Sequence, residues 1–228
     1  MPPLILAALK QELAPIRRIV GDDVARFART GVGPQKAAEA TRRHGPGASL
    51  IISTGCCGGL VAGASPGMLV VPREILRVTD LCATAVPEPD VELRRLTCLL
   101  AEQLGLHCSA RALATVEQAL TTPASKQECH RRCGAVAVDM ETAAIAEAAA
   151  ELGIPYVSVR VVLDTFDETL PELPPPLRDG QGKLRPGRLL SAARRPRDLL
   201  SFAVLAFRLR AVSSGLGRCI AALVQMVG

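Results

Sequence analysis

Apolar runs rich in Ile and Val alternate along the chain with stretches in which apolar residues recur every three or four positions. The first pattern predicts strands and the second predicts helices. The predicted strands are Leu4–Leu9, Val24–Arg29, Leu50–Ser53, Leu69–Leu76, Arg111–Val116, Ala135–Val138 and Tyr156–Leu163. The predicted helices are a short one that ends near Val20, then Pro34–Arg43, Val91–Leu104 and Glu141–Leu152. This alternation predicts an α/β domain with a largely internal sheet.

The pattern changes after residue 169. Residues 170–187 are rich in Pro and Gly and predict a loop, and a helix follows from about Asp198 to Val227, interrupted near Ser213–Gly217. Its stretch Leu199–Leu209 is apolar apart from Ser201 and Arg208. Eleven residues are too few to span a bilayer, which needs about 20. The chain thus divides into a body, 1–169, and a basic, apolar C-terminal region, 170–228, that packs on the sheet or lies on a membrane surface.

Composition excludes several classes of protein. The chain has 228 residues, of which 49% are apolar and 21% charged, so it can fold around its own core and is not a disordered protein. It has four Phe, one Tyr and no Trp, which argues against a protein that stacks unpaired nucleic-acid bases. Residues 1–177 carry 17 basic and 20 acidic side chains, whereas residues 178–228 carry 10 and 2. The basic excess predicts contact between the C-terminal region and an anionic surface.

Eight Cys raise the alternatives of a disulfide framework and a metal site. No signal peptide opens the sequence, and most of the Cys lie in apolar stretches, so we expect reduced thiols in a cytoplasmic protein. Cys129, His130 and Cys133 are the only metal-ligand residue types that cluster. They lack a second pair at zinc-finger spacing, so we expect no metal.

Two glycine motifs each follow a predicted strand. Gly31 and Gly33 begin a helix, but Lys36 stands where a dinucleotide fingerprint requires Gly or Ala, so a Rossmann cofactor site is not expected. What remains is a turn at Gly33 that lets a ligand approach the backbone. The second motif, 53–60, predicts a similar approach at the carboxyl end of a buried strand; its candidates are Thr54, Gly55, Cys56 and Gly58.

Three carboxylates also follow predicted strands. Glu12, Glu141 and Asp164 each come just after the carboxyl end of a strand, so we expect them to converge on one rim of the sheet. Each of them alone could be a helix or turn cap.

Together these segments resemble the superfamily of nucleoside phosphorylases and methylthioadenosine/S-adenosylhomocysteine nucleosidases. The resemblance covers about residues 4–165 and rests on Ala-Ala-Leu-Lys-Gln-Glu12, Thr-Gly-Val-Gly33, Ser-Thr-Gly-Cys-Cys-Gly-Gly-Leu60, Val-Asp-Met-Glu141-Thr-Ala-Ala and Val-Arg160-Val-Val-Leu-Asp164. It implies a three-layer sandwich with a central mixed, largely parallel twisted sheet flanked by helices. Within the superfamily the chain is most similar to the hopanoid-associated phosphorylases. This subgroup is thought to remove adenine from adenosylhopane.

The resemblance also implies roles for individual residues. Asp164 would protonate or hydrogen-bond adenine N7, and Glu12 would orient or deprotonate an attacking water. Glu141 would hold the ribose hydroxyls, with Met140 against the sugar. The remaining substrate-binding candidates are Gly33, Thr54, Gly55, Cys56, Gly58 and Leu120. No cofactor is implied, with inorganic phosphate as an optional co-substrate.

Three departures from the family pattern leave alternatives open. Ser53 and Cys56 replace an Arg and a Ser that grip phosphate in related phosphorylases, unless Arg29 or Arg43 substitutes for them, so hydrolysis and phosphorolysis both remain. Val116–Leu120 lacks the aromatic residue that stacks on the purine, so we expect aliphatic walls. The segment 77–91 is short, which would leave the 5′ side open to a bulky lipid.

The leading hypothesis is an enzyme that releases adenine from a 5′-substituted adenosine, small or lipid-linked. The alternative is a non-catalytic nucleoside-binding module that docks on membranes. In either case residues 188–228 are the candidate membrane contact, at the inner face of the membrane. We expect a homo-oligomer and no nucleic-acid partner.

Overall fold

Strands and helices alternate along the computed structural model, which describes residues 1–80, 82–170 and 196–228. Its strands are β1 Leu4–Ala7, β2 Arg26–Arg29, β3 Ile51–Gly59, β4 Leu69–Val70, β5 Ile75–Val78, β6 Ala83–Ala85, β7 Cys108–Ser109, β8 Leu113–Thr115, β9 Ala137–Asp139 and β10 Tyr156–Asp164. Its helices are α1 Lys10–Val20, α2 Pro34–His44, α3 Val91–Gln103, α4 Pro123–Cys133, α5 Thr142–Glu151 and α6 Pro196–Val227.

The long strand β3 organises the sheet because three other strands pair with it. β10 runs parallel along one edge, in register from Tyr156 opposite Ile51. The other edge is shared by β1, which is parallel, and by β9, which is antiparallel and places Val138 opposite Gly58. Beyond these strands the order is β6-β5-β8-β9 on one side and β10-β4-β7 on the other, with β2 outside β1. The sheet is therefore mixed and largely parallel, as predicted.

Helices cover both faces of this sheet. Leu4 and Leu6 of β1 pack in one cluster with residues of α2 and α5. The intervening Ile5 and Ala7 pack in a second cluster, which contains residues of α1, α3 and α6. Because alternate residues of a strand point to opposite faces, both faces of the sheet are buried. This arrangement confirms the three-layer sandwich.

The observed elements differ from the predicted ones in several places, including the short strands β6 and β7, which were not predicted. Pro72 lacks a backbone N–H, and the predicted strand Leu69–Leu76 is split around it into β4 and β5. The glycine motif after Ser53 belongs to a strand and not to a turn, since β3 continues to Gly59. Helix α4 was not predicted.

The C-terminal region is a single long helix where the structure describes it. The interruption predicted near Ser213–Gly217 is wrong, because α6 runs unbroken from Pro196 to Val227. Its second half is buried in the core with α1 and α3, through Leu216, Cys219, Ile220, Leu223 and Val224. Residues 171–187 of the predicted loop 170–187 lie outside the described residues. None of the helices searched in the described residues is long and apolar enough to cross a membrane.

Candidate active site

Glu12 lies in the first turn of α1, directly after β1, and two backbone N–H groups fix its carboxylate. Oε2 accepts a hydrogen bond from the N–H of Leu9 at 2.9 Å, and Oε1 accepts one from the N–H of Cys56 at 2.9 Å. The side chain is buried, and burial raises its pKa although both hydrogen bonds lower it. A fixed carboxylate with a raised pKa suits a general base that takes a proton from water.

Arg160 is the largest fully buried side chain in the described part of the chain, and it lies on β10 beside the start of the glycine motif. Its Nε donates to Thr142 Oγ1 at 3.0 Å, and Nη1 donates to the carbonyl oxygen of Thr54 at 3.0 Å. Nη2 donates to Ser53 Oγ at 2.9 Å and lies 2.9 Å from Asp139 Oδ2. A guanidinium has five N–H donors, and three of them donate these hydrogen bonds, which hold the side chain in place.

Gly55 packs closely against the side chains of Glu12 and Arg160. A Cβ built at this position would lie 2.9 Å from Arg160 Nη1 and 2.9 Å from Glu12 Oε1. The φ angle of Gly55 is +134°, which side chains rarely adopt. Only glycine fits here without displacing the carboxylate of Glu12 or the guanidinium of Arg160.

Asp139 balances the charge of Arg160 and is itself fully hydrogen-bonded. Its Oδ1 accepts from Thr115 Oγ1 at 2.7 Å, and its Oδ2 accepts from the N–H of Thr142 at 3.1 Å and from the Thr142 hydroxyl. The two side chains are each 1% exposed. Because a buried charge without its partner is costly, this network fixes Arg160 rather than leaving it free to bind an anion.

Glu141 joins two motifs that lie far apart in the sequence. Its Oε1 accepts a hydrogen bond from the N–H of Gly33 at 2.9 Å, at the start of α2. Burial and the neighbouring charge of Asp139 raise the pKa of Glu141 to about 7. Met140, the preceding residue, is half-buried and packs with Leu120 against one apolar cluster. Gly33 and Glu141 therefore meet, as the sequence analysis expected of a single site.

Asp164 ends β10 and lies beside Gly58 of β3. A Cβ at Gly58 would lie 3.2 Å from Asp164 Oδ2. That oxygen also accepts a hydrogen bond from Lys126 Nζ at 2.5 Å. Burial raises the pKa of Asp164, and the hydrogen bond and charge of Lys126 lower it.

The backbone of β3 brings the two predicted catalytic carboxylates to one place. Glu12 contacts this strand at Cys56 and Asp164 contacts it at Gly58. Two residues of a strand span about 7 Å. The two β3 residues that hold these carboxylates therefore lie on the same face of the strand.

Other predicted residues serve the site differently. Thr54 is buried, and its hydroxyl donates a hydrogen bond to the carbonyl oxygen of Val159 at 2.9 Å. Its backbone carbonyl accepts a hydrogen bond from Arg160. Leu120 lines a cavity of about 530 Å³ together with residues from 78–80, 116–122 and α4. Glu12, Glu141 and Asp164 do not line that cavity.

The thiols of the glycine motif supply no nucleophile. Burial raises the pKa of Cys56 and of Cys57 well above the ordinary range, so both stay protonated near neutral pH. Across the described residues, no group of three His, Cys, Asp or Glu side chains could hold a metal ion.

Four side chains of this site were not predicted from the sequence: Arg160 and Lys126 as site residues, and Asp139 and Thr142 as partners of Arg160. A signal existed for Arg160, because a charged residue inside the Val-rich run Tyr156–Leu163 must find a buried partner. Lys126 gave no comparable signal, since α4 itself was not predicted.

The chain belongs to the phosphorylase superfamily, whose sequence pattern matches residues 14–175. No curated protein sequence matches it. Solved structures with a similar fold include futalosine hydrolase of Helicobacter pylori (a mutant), with a TM-score of 0.75, 16% identity and coverage of 99% of this chain and 100% of that one. The 5′-methylthioadenosine/S-adenosylhomocysteine nucleosidase of Neisseria meningitidis, in complex with methylthio-immucillin-A, has a TM-score of 0.75, 20% identity and 99% coverage of each chain. A Helicobacter pylori nucleosidase mutant with 5′-methylthioadenosine in its active site has a TM-score of 0.75, 15% identity and coverage of 99% and 98%.

Proposed function

We propose that this protein hydrolyses the N-ribosidic bond of a 5′-substituted adenosine and releases adenine. The observation that carries the proposal is the pair of carboxylates held against β3, Glu12 at Cys56 and Asp164 at Gly58, with Arg160 beside the first. One carboxylate is placed to activate water and the other to protonate the leaving base.

The proposed reaction balances with water as the second substrate. A water beside Glu12 attacks the anomeric carbon while the bond to adenine breaks, and Glu12 takes the proton that the water loses. Asp164 gives a proton to N7, so adenine leaves as a neutral base. Glu141 accepts hydrogen bonds from the ribose hydroxyls and stabilises the positive charge that develops on the sugar.

The surroundings of Arg160 favour water over phosphate. Three of its five N–H groups already donate hydrogen bonds within the protein, and Nη2 also forms an ion pair with Asp139. The buried carboxylate of Glu12, close to Gly55 and Arg160, would also repel a phosphate dianion. Ser53 and Cys56, in place of the Arg and Ser of related phosphorylases, support the same choice.

The similar nucleosidases and the subgroup resemblance support the substrate class. The nucleosidases carry 5′-methylthioadenosine or its analogues. The short segment 77–91 supports a larger 5′ group, and the resemblance to hopanoid-associated phosphorylases makes adenosylhopane the largest member of the proposed series.

The decisive experiment measures adenine release from adenosines of graded 5′ bulk, with and without phosphate. We expect release that does not depend on phosphate and yields the free sugar and not its 1-phosphate. Glu12→Gln and Asp164→Asn should each lower kcat about 100-fold or more, whereas the exposed Glu39→Gln should not.

Two outcomes would contradict the proposal. Strict phosphate dependence would assign the chain to phosphorolysis. Tight binding of these adenosines without turnover, unchanged by Glu12→Gln, would favour the alternative of a nucleoside-binding module.

A further inference from the structure

Lys126 is a fully buried lysine whose ammonium group contacts Asp164. It lies on α4, and its Nζ donates to Asp164 Oδ2 at 2.5 Å. The same nitrogen donates to the carbonyl oxygens of Thr165 at 2.6 Å and of Glu168 at 3.1 Å. An ammonium has three N–H donors, and these three acceptors occupy all of them. The geometry therefore suits the charged form of the lysine.

A buried ion pair is a poor way to gain stability. Desolvation of both charges offsets most of their attraction, and apolar residues of similar size often stabilise a fold as well. The pair between Lys126 and Asp164 is 0% and 7% exposed, so this cost applies to it in full. Its placement on the proposed acid points to a role in the chemistry.

Among the described charged and titratable groups near Asp164, Lys126 is the cation that contacts its carboxylate. Glu168 follows in the next loop, but Arg208 of α6 binds both of its carboxylate oxygens at 2.7 Å. Cys57 of β3 is held protonated by burial. Arg208 therefore pairs with Glu168, and the ammonium of Lys126 lies next to Asp164.

We propose that Lys126 is a positioning residue that orients Asp164 and stabilises the carboxylate formed when Asp164 protonates the leaving purine. This inference rests on the proposed function. The proton moves from Asp164 to N7, the electrons of the ribosyl–base bond move to adenine, and the negative charge left on Asp164 lies next to the ammonium. A charge that develops beside a fixed cation in a buried site lowers the barrier.

Loss of the cation should make Asp164 a weaker acid. Burial raises the pKa of Asp164 and Lys126 lowers it, so Lys126→Met should raise that pKa further. Proton donation then becomes harder, while the protonated form persists to higher pH. We expect kcat for a 5′-substituted adenosine to fall roughly 10-fold to 100-fold. We also expect a small change in KM, and the alkaline limb of the rate profile should move to higher pH.

A substrate that needs no acid separates this role from a structural one. p-Nitrophenyl riboside releases a stable phenolate without protonation, so Lys126→Met should cleave it within about 3-fold of the unmodified protein, as expected when acid assistance is not needed. Lys126→Gln keeps hydrogen-bond donors without the charge. Like Lys126→Met, it should lose activity on the adenosine and keep it on the p-nitrophenyl riboside. Arg131→Met removes an exposed charge from the same helix and should affect neither substrate.

A titration independent of activity completes the test. The ¹³C resonance of the Asp164 carboxyl should titrate at higher pH in Lys126→Met and Lys126→Gln than in the unmodified protein. Equal loss of activity on both substrates, or an unmoved Asp164 titration, would overturn the inference. If the unmodified protein cleaved neither substrate, the proposed function would fail, and the ¹³C titration would still decide whether Lys126 stabilises the carboxylate.

Discussion

Glu141 accepts a hydrogen bond from the backbone N–H of Gly33 and lies close to the charges of Asp139 and Glu12. Burial lifts its pKa from 4.5 to about 7 in the folded protein. The fold thus favours the protonated form. The stability that this group contributes is complete below pH 4.5 and is lost as the pH rises through 7.

Glu141→Gln should therefore stabilise the protein at alkaline pH. Glutamine keeps the oxygen that accepts from Gly33 but carries no charge to bury. We expect a higher Tm than that of the unmodified protein at pH 8, by an amount equivalent to roughly 1–3 kcal/mol, and a much smaller difference at pH 5. Thermal unfolding at the two pH values measures this, with the exposed Glu39→Gln as control. The same gain at both pH values would contradict the assigned cause.

Gly55→Ala should displace the carboxylate of Glu12, the proposed general base. The new methyl group would lie 2.9 Å from both Arg160 Nη1 and Glu12 Oε1, on a backbone with φ of +134°. We expect a loss of about 1–3 kcal/mol of stability from strain. The folded fraction should also lose most of its adenine release. Gly63→Ala, where a Cβ meets no atom within 4 Å, is the matched control. Unchanged kcat in Gly55→Ala would contradict the proposed role of Glu12.

The apolar pattern of the sequence predicted the helices and strands in which that pattern is strong. It did not predict elements whose ends depend on helix capping or on strand pairing. Helix α4 has few apolar residues, but Thr122 caps its start ahead of Pro123, and Gly134 ends it in the left-handed conformation. These capping signals could have identified the helix. The extension of β3 could not be read locally, because it depends on pairing with β10 over its whole length.

Packing between elements also explains why α6 is continuous where the sequence predicted a break. Its glycines do not end the helix; they allow close packing. A Cβ at Gly217 would lie 2.6 Å from the side chain of Ile19 on α1, and one at Gly215 would lie 3.1 Å from Leu106. Glycine in a helix interior costs about 1 kcal/mol in propensity, and burial of the neighbouring apolar residues offsets this cost. Tertiary packing, which the local sequence does not show, decides between a break and a contact.

At the scale of the whole molecule, α6 combines two unlike halves. The second half is part of the core, so a truncation that removes α6 would expose apolar strands and test folding rather than location. The described side chains of the first half include the exposed Val204 and Phe207, the latter 74% exposed. The basic excess of residues 178–228 lies in the same region of the sequence. Exposed apolar side chains beside basic ones are the features of a helix that lies on an anionic membrane surface.

We therefore propose that the first half of α6 contacts anionic lipid, and point variants can test this without removing the core. The full chain should sediment with vesicles that contain phosphatidylserine and not with neutral vesicles, and high salt should weaken the binding because it screens the charges. The double variant Val204→Ser, Phe207→Ser should bind several-fold more weakly, whereas Met226→Ser, exposed at the other end of the helix, should not. Equal binding by the two variants, or none by the unmodified chain, would count against a membrane role. Adenine release from a small 5′-substituted adenosine should be unchanged in the double variant, since neither residue contacts Glu12, Glu141 or Asp164 through a hydrogen bond or ion pair.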